Sequence, residues 1–134
     1  MRFVLAAAFA AAHLLAGCAS IAPATCRDRE LAVSDLLYFG TAKPDGAVSA
    51  AEWSDFLRDV VTPRFPAGLT AWQASGQWRS ARGSIDREAS HVLSLVHPDD
   101  AASEEAVRAI VAAYKSRFRQ EAVLRVTTRG CASY

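Results

Sequence analysis

The chain predicts an α+β domain of the ferredoxin-like, split β-α-β kind: an antiparallel sheet with two helices on one face. Three observations lead there. Strand-like and helix-like stretches follow one another in the order β-α-β-β-α-β. Each helical stretch opens on a capping signal and repeats its apolar residues at helical spacing. Two cysteines, Cys26 and Cys131, bracket the arrangement, and this topology lays the last strand antiparallel beside the first, which brings those two positions together.

The elements follow in order. Leu31 to Gly40 is nearly apolar on both faces and reads as a central strand. Lys43-Pro44-Asp45-Gly46 is turn chemistry. Ser49-Ala50-Ala51-Glu52 forms a capping box, and Trp53, Phe56, Leu57 and Val60 then recur at i, i+3, i+4, i+7, so a helix runs from Ala50 to Val61 and stops before Pro63. After the connector Arg64 to Gly68, Leu69 to Arg79 is a strand bearing Trp72 and Trp78, with Gly76 marking a bulge or a close backbone approach. Ser80 to Ser84 turns the chain into a third strand, Ile85 to His97, which Pro98-Asp99-Asp100 breaks. Ser103 is the expected cap of the second helix, whose stripe is Val107, Ile110, Val111, Tyr114 and Phe118. Val123 to Thr128, alternating and β-branched, closes the sheet.

Ahead of this domain stands an export signal. Met1-Arg2 is a short positive segment, and Phe3 to Leu15 is an apolar run interrupted only by His13. A membrane-spanning helix needs about 20 apolar residues, so a retained anchor fits less well than a cleaved leader. Leu15-Ala16-Gly17-Cys18 resembles a bacterial lipobox, which makes residues 1–17 a lipoprotein signal peptide, Cys18 the acylated first residue, 18–30 a tether and 31–134 the single domain. The alternative is cleavage at an ordinary A-x-A-like site, leaving a soluble product. Since one acyl chain binds membranes only marginally, the several chains of a lipoprotein, palmitate among them, are what would anchor it. Ala19, where retention in the inner membrane often uses aspartate, favours the periplasmic face of an outer membrane.

The chain carries 15 Lys and Arg against 14 Asp and Glu. Arg2 leaves with the leader, so the exported part is balanced, and no electrostatic attraction to nucleic acid or to anionic membrane follows. In an oxidising compartment Cys26 and Cys131 are expected to bridge, closing a loop of about 105 residues and contributing on the order of 4–5 kcal/mol. A redox role lacks the C-x-x-C spacing. A metal reading is weak because His91 and His97, six apart on one strand, would lie about 20 Å from each other.

Leu37-Tyr38-Phe39-Gly40, Thr62 through Thr70, Gly76-Gln77-Trp78, Arg87-Glu88-Ala89-Ser90, and Tyr114 through Phe118 to Gln120-Glu121-Ala122-Val123-Leu124-Arg125 resemble a family of uncharacterised bacterial exported proteins, a domain of unknown function. The resemblance implies an exported, often lipidated, compact domain and attaches no activity, cofactor or partner. Where that family commonly has lysine after the serine, this chain has His91.

A sheet with helices on one face must present the other to water, ligand or partner. Tyr38, Trp78, Arg87, Glu88 and His91 are the candidate ligand or interface residues, with Trp72 and Gly76 sharing the strand face of Trp78. The plainer reading makes Trp53, Trp72 and Trp78 core and leaves Arg64, Arg87 and Glu88 solvated or structurally paired. No G-x-S-x-G, P-loop or dinucleotide glycine pattern is present, so no catalytic residue or cofactor is assigned. The leading expectation is therefore a lipid-anchored periplasmic module that binds a small ligand or a protein, a second copy in a homodimer among the candidates, through its open sheet face and binds no nucleic acid, its ligand being unknown. The alternative is a small cofactor-independent enzyme, a dimeric α+β barrel with His91, Arg87 and Tyr38 lining a cavity.

Overall fold

The structure is a computed structural model that describes residue 26 and residues 29–79 and 81–133. The leader and the lipobox around Cys18 lie outside the described residues. β1 (Glu30–Gly40) is followed by a small hairpin, β2 (Ala42–Lys43) and β3 (Gly46–Ala47), then α1 (Ala50–Phe56), which continues as a π-helical turn over Leu57–Val61. β4 (Thr70–Arg79), β5 (Ile85–Pro98), α2 (Ala101–Phe118) and β6 (Leu124–Ala132) complete the chain. The four long strands form one antiparallel sheet in the order β4-β5-β1-β6. This is the ferredoxin-like arrangement expected from the element order, with β1 in the interior of the sheet.

Register decides which side chains share a face. Leu37 stands opposite Leu93 and Arg125, and Tyr38 opposite Val92 and Leu124, so odd positions of all four strands point one way and even positions the other. The odd face is the covered one. Leu37, Phe39, Leu93 and Leu95 from the sheet meet Trp53, Phe56 and Val61 from the first helical segment and Val107, Ile110, Tyr114 and Phe118 from α2 in one core. Its centre is aromatic: Phe39 lies 4.5 Å from Tyr114 and 5.3 Å from Trp53, centroid to centroid. Burial pushes the Tyr114 phenol up, so it stays a donor, and it gives its proton to Gly40 O at 2.8 Å.

Local chemistry explains the ends. Ser49 caps α1 through a complete capping box with Glu52, and Lys43 on the preceding hairpin pairs with the same carboxylate at 2.7 Å. The Lys43 hydrogen bond, then those from Ser49, lower the Glu52 pKa to about 2. The second helix corrects one expectation: its cap is Asp100, whose carboxylate accepts from the Ser103 backbone N–H at 2.7 Å, while Ser103 sits inside the first turn. The aspartate wins because it holds the extended backbone a cap requires. Gly76 makes no bulge; pairing runs unbroken from Ser75–Ala89 through Gln77–Arg87. The last strand is longer than expected, so Cys131 lies within the ladder opposite Leu31. The Cys26–Cys131 disulfide is formed, with Cα atoms 5.5 Å apart.

Candidate functional site: the open face of the sheet

Among the described residues no helix lies on the even face. Across it runs one complete row, Leu124, Tyr38, Val92 and Trp72, contributed in turn by β6, β1, β5 and β4. The next row is Val126, Leu36, Ser94 and Thr70. Val92 is buried although no helix covers it, because Tyr38 and Trp72 flank it on the neighbouring strands. Trp72, Trp78, Val96, Leu124 and Val126, all on this face, are each between 45% and 62% exposed. Exposed hydrophobics scattered singly need no explanation, but a contiguous apolar band does.

Charge is confined to the ends of the face. Glu30 opens β1, while Asp86 and Glu88 sit near the start of β5 at the opposite end. Glu88 is occupied: its Oε1 accepts the Ala42 backbone N–H at 2.8 Å. That carboxylate also reaches over Gly40, where a Cβ would meet Glu88 Oε1 at 2.9 Å and oblige the glutamate side chain to shift.

The five candidate residues therefore divide. Tyr38, Trp78 and Glu88 belong to the open face; Arg87 and His91 have the opposite parity. Arg87 is exposed near the edge of the sheet. His91 is buried beneath α1, its ring stacked on Trp53 at 4.4 Å and nearly parallel, and burial lowers its pKa. His91, Arg87 and Tyr38 do not line one concavity in a single copy. Of the three tryptophans only Trp53 is in the core; Trp72 and Trp78 are on the surface.

Sequence reasoning missed a polar cluster on the helix-covered side. Asp35, with no exposed side-chain surface, accepts from Arg125 Nε at 2.9 Å and Nη2 at 2.6 Å, from Thr127 Oγ1 at 2.6 Å, and faces His97 Nε2 at 3.0 Å. Arg125 also forks onto Glu104 of α2, at 3.0 and 2.7 Å. His97 Nδ1 faces the Pro98 carbonyl at 2.8 Å, so both ring nitrogens look at acceptors and both bonds form together only when each nitrogen carries a proton. Burial alone would raise the Asp35 pKa; the bonds from Arg125, His97 and Thr127 outweigh it and hold the carboxyl below its ordinary value. Every member is engaged within the protein, so this cluster locks α2 onto β1 and β6. Its signal in the sequence was a single aspartate interrupting an apolar strand.

A cavity of about 370 Å³ lies at the end of the sheet, between Leu31, Phe65, Pro66, Val96 and Ser103. Its histidine, His97, is already committed to Asp35 and Pro98. Among the described residues no group of three or more His, Cys, Asp or Glu side chains is placed to hold a metal ion, and no helix is long and apolar enough to cross a membrane.

Fold and face together define a small ferredoxin-like domain whose sheet, among the described residues, is packed on one surface and bare on the other. The chain belongs to DUF3574, a family described as protein of unknown function, whose model matches residues 34–134. No curated protein matches it. Among solved structures it resembles a phage SAM lyase in complex with S-methyl-5'-thioadenosine at 14% identity, covering 77% of this chain and 90% of that one with a TM-score of 0.55. It also resembles CutA from Synechococcus elongatus at 15% identity, covering 78% and 82%, with a TM-score of 0.53. At such identities the likeness is one of fold.

Proposed function

We propose that this protein is an interaction module, tethered through an acylated Cys18 to the periplasmic face of the outer membrane, that works by docking its open sheet face. The observation that carries the reading is the uncharged apolar row Leu124–Tyr38–Val92–Trp72, exposed at Leu124 and Trp72, with Val126 in the next row and Val96 and Trp78 farther along the same face. Burying such a band gains about 25 cal/mol per Å² of apolar surface. The likeness to a SAM lyase carries no substrate to this chain.

Hydroxyl-radical footprinting read by mass spectrometry tests it. Labelling of Trp72, Trp78 and Leu124 in intact cell envelopes is compared with the purified full chain at high dilution, with buried Trp53 as internal reference. Protection of the three in the envelope is expected; equal labelling in both settings overturns the proposal.

A further inference from the structure

Building on that reading, we infer that the occupant of the open face is a second copy of this chain, packed sheet against sheet about a two-fold axis. A two-fold interface uses the same patch twice, so the patch must be complementary to itself. This one is. Its apolar row can lie on another apolar row, and the polar side chains beside it, Ser34, Thr70, Ser90, Ser94 and Thr128, are all hydroxyls. A hydroxyl donates and accepts, so it can bond its own kind, which neither an ammonium nor a carboxylate can do. The uncharged centre puts no like charges together, and the net charge of the whole chain is only +1, so two copies do not repel.

The size also fits. Four strands spaced ~4.8 Å apart and some nine residues long at ~3.3 Å each make a footprint of roughly 550–600 Å² before side-chain relief is added. Stable pairs bury about 800 Å² of accessible surface per partner, and inner faces of packed sheets interdigitate at about 10 Å. A bilayer surface is the less favoured occupant, because the charges at the ends of the face, Glu30, Asp86 and Glu88, are acidic where binding to anionic headgroups calls for Lys and Arg. A charged peptide finds no partner for its charge on the central rows.

The test is the oligomeric state of the full chain in detergent, by sedimentation velocity at micromolar concentrations with bound detergent accounted for. Dimer mass is expected for the unaltered protein and for Arg87→Glu on the other face, and monomer mass for Trp72→Glu and Leu124→Glu, whose circular dichroism stays that of the folded chain because both positions are on the surface. Should either variant misfold, dilution of the unaltered protein gives the answer through a red shift of tryptophan emission as Trp72 and Trp78 become wet. A monomer at every concentration, or a dimer that survives both substitutions, overturns the inference. A monomer whose open face is still protected in envelopes means another occupant, with the docking reading intact; a monomer with no protection removes both.

Discussion

A carboxylate removed from water in the middle of a sheet costs several kcal/mol before any partner answers it. Asp35 is answered three times over, by the Arg125 fork, the Thr127 hydroxyl and the His97 ring. Asp35→Ala leaves Arg125 and His97 facing an empty position and is expected to destabilise the fold by about 3–5 kcal/mol in urea titration at neutral pH. Because the folded-state pKa of Asp35 is depressed, the unfolded chain binds its proton first on acidification. Its contribution is therefore full at neutral pH and fades as the pH falls below about 4. His91 gives a second, separate window. Burial lowers its pKa, so the unfolded state takes up the proton first and stability falls as the pH drops below about 6.5. His91→Phe keeps the stack on Trp53 and should flatten the stability profile as the pH falls below about 6.5. An undiminished slope there would show that His91 is not the group responsible. Neither residue's setting is local in the chain. Asp35 acquires Arg125 and Glu104 only through strand register and helix placement, so the sequence showed an oddity within an apolar run without showing its partners.

Elements whose cause is local were legible in advance. The capping box at Ser49 and Glu52, the spacing of Trp53, Phe56 and Val60, and the prolines at 63 and 98 all act within a few residues, and both helices and all four long strands lie where those signals put them. What escaped depended on competition between neighbours. Asp100 and Ser103 are both good caps, and backbone conformation chose between them. Lys43-Pro44-Asp45-Gly46 read as a turn and proved to carry a two-residue ladder on each side, short enough that no alternation could announce it. The last turn of the first helix widens, with the Thr62 N–H reaching the Leu57 carbonyl at 2.8 Å. At this scale Ser49→Ala is the informative change. It removes the side-chain acceptor for the Glu52 N–H and is expected to cost about 1 kcal/mol by denaturant titration. The open face should be unaffected, because α1 packs on the opposite side of the sheet.

At the scale of the whole molecule, one end of the sheet is stapled. β1 and β6 are neighbours although more than 80 residues separate them in the chain, and the disulfide joins their free ends where a ladder would otherwise fray. If Cys18 is acylated, the eight residues from it to Cys26 span at most about 28 Å, so the domain is held close to the membrane and any pull along the tether arrives at the staple. The two cysteine roles separate by experiment. Cys18→Ser should move the protein from the membrane to the soluble periplasmic fraction with its melting temperature unchanged; retention in membranes would instead indicate an uncleaved leader. Cys131→Ser should leave it in the membrane and lower its melting temperature. Closing a 105-residue loop is worth on the order of 4–5 kcal/mol, and in a domain of this size that corresponds to about 20 °C. The difference between Cys131→Ser and the unaltered chain should vanish when both are melted in reductant, since reduction opens the same loop. A difference that persisted in reductant would assign the loss to packing around residue 131, where the position is exposed and little packing exists to lose.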